Sequence, residues 1–322
     1  MIFAKTDDLE AVIMVGTWFA APRPIPSDLT SNRNLDGDMR DFYSRFYYGL
    51  RRYLDKKHRL LRLARIVRAY VLLGPLRNTF VRYYQNFSHN KPLRIDTSPL
   101  FSNVDVEKLV NAIDDMGYAE LGNLPEESVE QILAYCENDK QIEYWNPHKN
   151  CEIIDRISRN ATLVAIVRKY LGAEPILWLT QLRWTFPPSD HPVNLRPPLD
   201  RNPGKYDVHD FHYDDHDFKA LTAFVYLTDV NLDSGPHMII PGSHKNKTLK
   251  DLAHISFRDD VAQRIFHNKI KVILGNKGLV FLEDTSCYHK AALCNKERRL
   301  LLSIDYVLRR RVPPEREVSL TH

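Results

Sequence analysis

Two histidines and one carboxylate in this chain have the types and the order of residues that bind a single iron ion. His212 and Asp214 stand two positions apart, and His289 follows later in the sequence. Two histidines and a carboxylate are the protein ligands of non-haem Fe(II) oxygenases, which leave the remaining coordination positions open for a cosubstrate and O₂. Side chains two positions apart on a strand point to one face, so His212 and Asp214 can reach the same ion. These residues predict an oxygenase.

An arginine after the second histidine extends this prediction. Arg299 can form two parallel hydrogen bonds to the distal carboxylate of 2-oxoglutarate. Arg298 is the alternative, because a shift of one residue in strand register exchanges the two faces. His209 and His216 flank the metal strand, but each is followed two positions later by phenylalanine and not by a carboxylate. We interpret them as surface residues or as neighbours of the ligands.

Short strands separated by turns are predicted around the candidate ligands. Residues 220–230 are rich in β-branched and aromatic side chains, which is typical of a buried strand. Turn signals follow at Asp233-Ser234-Gly235-Pro236 and at Pro241-Gly242-Ser243-His244. We interpret His244 as stabilising the second turn. Further strands are predicted at residues 238–240, 278–282 and 298–307.

Two long runs of this sequence resemble the phytanoyl-CoA dioxygenase family of Fe(II)/2-oxoglutarate oxygenases. They are FHYDDHDFKALTAFVYLTDVNLDSGPHMIIPGSHK and GLVFLEDTSCYHKAALCNKERRLLLSIDYV. The resemblance extends more weakly to an opening helix and strand from about Val104 and to ATLVAIVRKYLGAEPILW, a helix, turn and strand. It covers roughly two thirds of the chain by this motif comparison, and residues 1–95 lie outside it.

The resemblance implies the roles of individual residues. His212, Asp214 and His289 would bind Fe(II), Arg299 would bind 2-oxoglutarate, and Gln181 would lie near that cosubstrate. Related halogenases have glycine or alanine at the position of the carboxylate, so the aspartate here favours oxygen transfer.

The implied fold is α+β. Its core would be a double-stranded β-helix, a jelly-roll or cupin-like pair of sheets with flanking helices and a helical N-terminal extension. Apart from the resemblance, the hydroxyl of Thr222 either donates to a 2-oxoglutarate carboxylate or is satisfied within the core.

The extent of the resemblance divides the chain into an N-terminal extension at residues 1–95, predicted to be largely helical and basic, and an oxygenase domain at residues 96–322. Ten lysines and arginines and a single aspartate lie between residues 51 and 82, interleaved with apolar residues at helical spacing. Such a helix either lies on an anionic membrane surface or packs on the catalytic domain with its arginines outward. Nucleic acid is not predicted as a partner, because no nucleic-acid-binding motif accompanies the charge.

Four cysteines without a CxxC pair predict free thiols in a reducing cytoplasm. No apolar run is long enough to span a bilayer, and the acidic residues near the N-terminus are atypical of a signal peptide. We therefore expect a cytoplasmic protein, with peripheral membrane contact as an alternative for the basic helix. The proline-rich segment 186–206, just before the metal strand, is predicted to be a substrate loop or lid.

The expected activity is that of a dioxygenase that uses Fe(II), 2-oxoglutarate and O₂ to hydroxylate a small-molecule, lipid or saccharide-type substrate, releasing succinate and CO₂. The basic extension favours an anionic or membrane-associated substrate. Desaturation, epoxidation or cyclisation are alternative outcomes of the same chemistry. A jelly-roll module that binds without catalysis is a third possibility, since this fold serves many functions.

Overall fold

The computed structural model describes residues 66–309, apart from 68, 88–89, 140, 188, 190–208, 246, 249–250 and 253–255. Residue contacts divide the chain into two compact units, and the larger one comprises Ala69–Pro197 and Tyr206–His322. All elements below belong to the larger unit. Residues 1–65 of the predicted extension and most of the predicted lid lie outside the described residues.

Six helices are formed by the described residues, in addition to a helical segment at residues 69–73. One of them begins and ends at residues that are well suited to those positions. Asp105 accepts a hydrogen bond from the backbone N–H of Lys108 at 3.0 Å, and Gly117 ends the same helix with a positive φ of 79°. The helices are α1 (Arg77–Phe87), α2 (Val106–Met116), α3 (Glu126–Asp139), α4 (Glu152–Ser158), α5 (Ala161–Leu171) and α6 (Asp259–Phe266).

Eleven strands in the described residues form two antiparallel sheets. The strands are β1 (Tyr118–Asn123), β2 (Glu143–Trp145), β3 (Ile176–Thr185), β4 (Phe211–His212), β5 (Ala220–Tyr226), β6 (His237–Ile239), β7 (Ser256–Phe257), β8 (Lys271–Ile273), β9 (Leu279–Glu283), β10 (His289–Ala291) and β11 (Arg299–Val307). The major sheet has the order β1-β9-β5-β11-β3-β2, and the minor sheet has the order β7-β4-β10-β6-β8.

This arrangement is the predicted α+β jelly roll, and the predicted strands of its second half are confirmed to within a few residues. The major sheet separates two environments because side chains alternate along each strand. On β11, Leu300, Leu302, Ile304 and Tyr306 are buried with the apolar residues of helices α2 to α5. The opposite face of β11 carries Arg299, Leu301, Ser303 and Asp305. This second face is the inner one, and it bears the polar residues of the candidate site.

The described part of the basic N-terminal segment packs on the jelly roll. Ala69, Leu72, Leu73 and Val81 are buried in one cluster with apolar residues of the minor sheet and its loops. Arg77 donates to the carbonyl of Phe218 at 2.6 Å and to the Asp284 carboxylate at 3.0 Å. The prediction of outward-facing arginines is therefore wrong for Arg77, because its guanidinium fixes α1 to the catalytic domain.

Two further expectations concern location and redox state. Among the described residues, we find no helix with the length and apolarity needed to cross a membrane. All four cysteines are buried and free, as predicted.

Candidate active site

The structure brings the three predicted metal ligands together at the edge between β4 and β10. His212 at the end of β4 pairs in register with His289 at the start of β10. The backbone N–H of Asp214 donates to the carbonyl of Thr285 at 2.8 Å, which fixes the residue after the strand. The candidate ligand atoms of His212, Asp214 and His289 all lie within 4.8 Å of one another. This spacing allows one ion to contact all three.

Both histidines have the tautomer that a metal ligand needs. Nδ1 of His212 lies 2.9 Å from the carbonyl oxygen of Asp210, and Nδ1 of His289 lies 3.1 Å from that of Cys287. A carbonyl oxygen only accepts, so each Nδ1 carries the proton and each Nε2 carries the lone pair. Burial, and then the neighbouring His289, lower the pKa of His212 to about 3. The His212 ring is therefore neutral at pH 7, which is the form that binds a metal.

A buried carboxyl group lies behind the second histidine. Glu283, at the end of β9, is fully buried, and its Oε1 lies 3.4 Å from Nδ1 of His289. Its Oε2 lies 2.7 Å from Nε2 of His237, whose ring stacks on His289 with centroids 5.5 Å apart. Burial raises the pKa of Glu283 to about 8 and lowers that of His237 to about 3. The two side chains therefore form a neutral hydrogen-bonded pair at pH 7.

Sequence reasoning missed Glu283 and His237. A signal was present for the first of them, because Glu283 ends an otherwise apolar strand, Leu-Val-Phe-Leu-Glu, whose residues are all buried. Alternation from Phe281 places this carboxyl group on the inner face. His237 follows the Gly-Pro turn and carried no comparable signal.

Arg299 and Arg298 occupy different environments. Arg299 is 2% exposed on the inner face of β11, whereas Arg298 is exposed and its guanidinium lies 5.0 Å from the centre of the Trp184 ring. Arg299 donates from Nη1 to the carbonyl of Gly235, and its buried Nε has no hydrogen-bond partner among the described residues. Burial lowers the pKa of Arg299. A buried guanidinium with an unused donor is suited to an anionic ligand.

Gln181 and Thr222 also lie on strands of the major sheet, opposite Ser303 and Asp305 of β11. Each is hydrogen-bonded to a carboxylate of a neighbouring strand. The amide of Gln181 donates to Glu143, and the hydroxyl of Thr222 donates to Asp305 at 2.6 Å. Burial raises the pKa of Asp305 to about 6. The structure thus describes Thr222 as a satisfied hydroxyl.

The remaining histidines of the region do not join the three candidate ligands. Nε2 of His216 lies 3.8 Å from the Asp214 carboxylate, and its ring packs against Trp178. His209 contacts the carbonyl of Ala291 through Nδ1 at 3.1 Å. His244 reaches the carbonyl of Asp114 on α2 at 3.2 Å through Nε2, so it fixes the loop to that helix.

Comparison with known proteins gives a family. The family model described as Phytanoyl-CoA dioxygenase (PhyH) matches residues 125–299, which is more than half of the 322 residues. A search of curated proteins found no matching sequence.

Among the solved structures to which this chain is similar are three with low sequence identity to it. EctD from S. alaskensis, solved with bound Fe, is 17% identical with a TM-score of 0.47, covering 70% of this chain and 87% of its own. The non-haem alpha-ketoglutarate-dependent epimerase SnoN from nogalamycin biosynthesis is 15% identical with a TM-score of 0.46, covering 62% and 80%. AviO1 from Streptomyces viridochromogenes Tue57 is 13% identical with a TM-score of 0.45, covering 66% and 99%.

The family match extends from the start of α3 to Arg299, and it includes the strands and loops that carry all three candidate ligands. The chain belongs to the phytanoyl-CoA dioxygenase family of Fe(II)/2-oxoglutarate-dependent oxygenases.

Proposed function

We propose that His212, Asp214 and His289 hold Fe(II), that Arg299 binds 2-oxoglutarate, and that the enzyme hydroxylates a small polar molecule. The observation that carries this proposal is the approach of the three ligand atoms to within 4.8 Å of one another. Two neutral imidazoles and one carboxylate, with further positions left for cosubstrate and O₂, are the donor set of Fe(II) oxygenases. The residues present therefore fit the metal.

The protein's own contribution is to orient these groups. The carbonyls of Asp210 and Cys287 hold the two imidazole rings by their Nδ1 atoms, so that both Nε2 atoms can face one ion. Bound Fe(II), with 2-oxoglutarate and O₂, supplies the oxidising power that removes a hydrogen atom from a C–H bond, and succinate and CO₂ are released.

Arg299 provides the cosubstrate's anchor in this proposal. Its guanidinium is buried between the sheets, and its Nε has no hydrogen-bond partner among the described residues. The distal carboxylate of 2-oxoglutarate would neutralise this charge and accept two of its hydrogen bonds. Gln181 and Thr222 would lie beside the cosubstrate. They would contact it if they gave up their present hydrogen bonds to Glu143 and Asp305.

The inner face of the major sheet supports a polar substrate. Glu143, Arg183 and Gln181 form a hydrogen-bonded group on β2 and β3, and Asp305 is nearby on β11. Hydroxyl-bearing molecules such as saccharide precursors fit these donors and acceptors better than a purely apolar chain does. Hydroxylation is the outcome we favour, and desaturation, epoxidation or cyclisation would result from a different position of the substrate at the same iron.

Turnover with a panel of substrates tests the proposed function. The enzyme is loaded anaerobically with Fe(II) and 2-oxoglutarate, exposed to O₂ with sugars, amino acids and acyl lipids, and assayed for succinate and for a product 16 mass units heavier by addition of one oxygen atom. We expect succinate and hydroxylated product to form in a matched ratio with a hydroxyl-rich substrate. A product lighter than the substrate by two hydrogen atoms would show that the enzyme desaturates its substrate and does not hydroxylate it. Absence of Fe(II)-dependent succinate with every substrate, and without substrate, would contradict the proposal.

Glu283 gives a separate prediction about the metal site. Substitution Glu283→Leu removes the carboxyl group that lies beside Nδ1 of His289, and loss of a group that contacts a metal ligand typically weakens metal binding by about 10–100-fold. We expect that reduction in Fe(II) affinity by anaerobic titration. Glu283→Gln retains a hydrogen-bonding group and is expected to lose less. Equal Fe(II) affinity in the wild-type protein and in Glu283→Leu would show that the carbonyl of Cys287 alone orients His289.

A further inference from the structure

A cavity lies between the N-terminal segment, at residues 73–81, and residues of the jelly roll and its helices. Its volume is about 530 Å³, which is within the range of small-molecule sites. We call it the basic cavity, because its lining contains four cationic side chains and two carboxylates: Arg77, Lys219, Lys245, Lys247, Asp114 and Asp284. None of the proposed iron or cosubstrate residues lines it.

Three of these cations have carboxylate partners. Arg77 pairs with Asp284 at 3.0 Å, and Lys219 lies 3.6 Å from Asp114. Lys245 lies 2.9 Å from Asp115, a neighbour outside the lining. The lining residues alone therefore carry a net charge of +2, and inclusion of Asp115 leaves +1. Lys247 is the lining cation without an ion pair among the described residues, and Asp284 and Asp251 attract its ammonium at longer range.

Lys247 is the unusual residue of the basic cavity. It is 7% exposed, and its Nζ has no hydrogen-bond partner among the described residues. The ammonium lies 4.5 Å from the ring centre of Tyr213 and 3.9 Å from that of Tyr288. Burial lowers the pKa of Lys247 to about 8, so the side chain remains mostly charged at pH 7. The tyrosine rings compensate part of the cost of burying this charge, but they accept no conventional hydrogen bond from it.

We propose that the basic cavity binds a phosphate group, carried either by a free small molecule or by a lipid headgroup. A phosphate supplies several acceptor oxygens and up to two negative charges, which match the excess positive charge of the lining. The Nζ of Lys247 is enclosed by the two tyrosine rings, and it would donate to the phosphate after a turn of its flexible stem. Lys219 and Asn78 line the same space and add donors. The site is distinct from the iron centre, because Tyr213 points away from the face that His212 and Asp214 share.

Titration calorimetry with inorganic phosphate tests the site on the full-length, metal-free protein. We expect saturable binding of one phosphate, with affinity reduced at least about tenfold in Lys247→Met, since a hydrogen bond to a charged group contributes about that factor. Methionine retains the apolar stem against the two tyrosines. Lys247→Arg keeps the charge and should retain binding. Lys277→Met is the matched control on an exposed lysine and should bind as the wild type does.

Two further arms separate the sources of the signal. Arg299→Ala should leave phosphate binding intact, whereas its loss in that variant would place the phosphate at the cosubstrate site and overturn the proposal. Vesicles of phosphatidylcholine with phosphatidic acid, against phosphatidylcholine alone, test the headgroup. Lys247-dependent binding to the acidic vesicles would identify a lipid source, and binding of free phosphate alone would identify a soluble one. If neither probe binds, or if Lys247→Met binds both unchanged, the cavity has no phosphate site.

Discussion

Substitution Asp214→Ala is expected to abolish Fe(II)-dependent turnover of 2-oxoglutarate while the protein remains folded. Asp214 supplies the only carboxylate of the proposed ligand set, and its side chain is 15% exposed and outside the apolar core. Loss of an outer partner of a metal ligand already costs about 10–100-fold. Removal of the ligand itself should therefore reduce activity by more than about 100-fold at micromolar Fe(II). Succinate release measures the activity, and circular dichroism with a thermal melt measures the fold.

The other two ligands provide replicates of this test. His212→Ala and His289→Ala should have the same effect, because each removes one of the three donors that lie together. Asp260→Ala is a suitable control, since this carboxylate is exposed on α6 and should leave turnover unchanged. Full activity of Asp214→Ala at micromolar iron would reject the assignment of this residue. A folded Asp214→Ala protein that gains chloride-dependent activity would instead indicate that the carboxylate selects oxygen transfer over halogenation.

Local sequence patterns predict the individual strands around the metal site well, because these strands are β-rich and bounded by clear turns, whereas the jelly-roll fold itself is implied by the family resemblance. Residues 278–282 were predicted as a strand, and the structure has β9 at Leu279–Glu283. The i and i+2 spacing of His212 and Asp214 predicts that both reach one ion, and the two ligand atoms do lie together, although β4 ends at His212 and Asp214 belongs to the loop that follows. These features depend on period and turn chemistry, which a sequence shows directly.

Contacts between distant segments were not predictable in the same way. The hydrogen bond from Arg77 to Asp284 joins residues far apart in the chain, and nothing local to Arg77 distinguishes it from the other arginines of its basic segment. Glu283 and His237 meet only because β9 and β6 face each other across the jelly roll. Helical periodicity predicted an amphipathic segment, but only tertiary packing shows which of its cations is buried.

The burial of Arg299 also depends on tertiary packing. It leads to a second prediction with a large expected effect, on the binding of 2-oxoglutarate. A buried guanidinium is costly unless an anion accompanies it. No salt bridge to Arg299 occurs among the described residues, where its one hydrogen-bond acceptor is the carbonyl of Gly235. This arrangement is expected of a residue that awaits an anionic ligand, because a purely structural arginine would have a carboxylate beside it. Removal of this charge should then harm cosubstrate binding far more than it harms stability.

Arg299→Met is expected to raise the apparent dissociation constant for 2-oxoglutarate by about 30-fold or more, since loss of a buried charged partner costs about 2–5 kcal/mol. Fe(II) affinity should remain within a few-fold of wild type, and the melting temperature of the cosubstrate-free protein should be unchanged or higher. Arg299→Lys keeps the charge without the planar fork, and its affinity for 2-oxoglutarate should lie between those of the wild type and Arg299→Met.

Arg298→Met is the matched control, because that arginine is exposed against Trp184. A defect in 2-oxoglutarate binding carried by Arg298→Met, with Arg299→Met normal, would transfer the anchoring role to the neighbouring residue. A fall in melting temperature for Arg299→Met without any loss of 2-oxoglutarate affinity would make Arg299 a structural residue of the turn at Gly235.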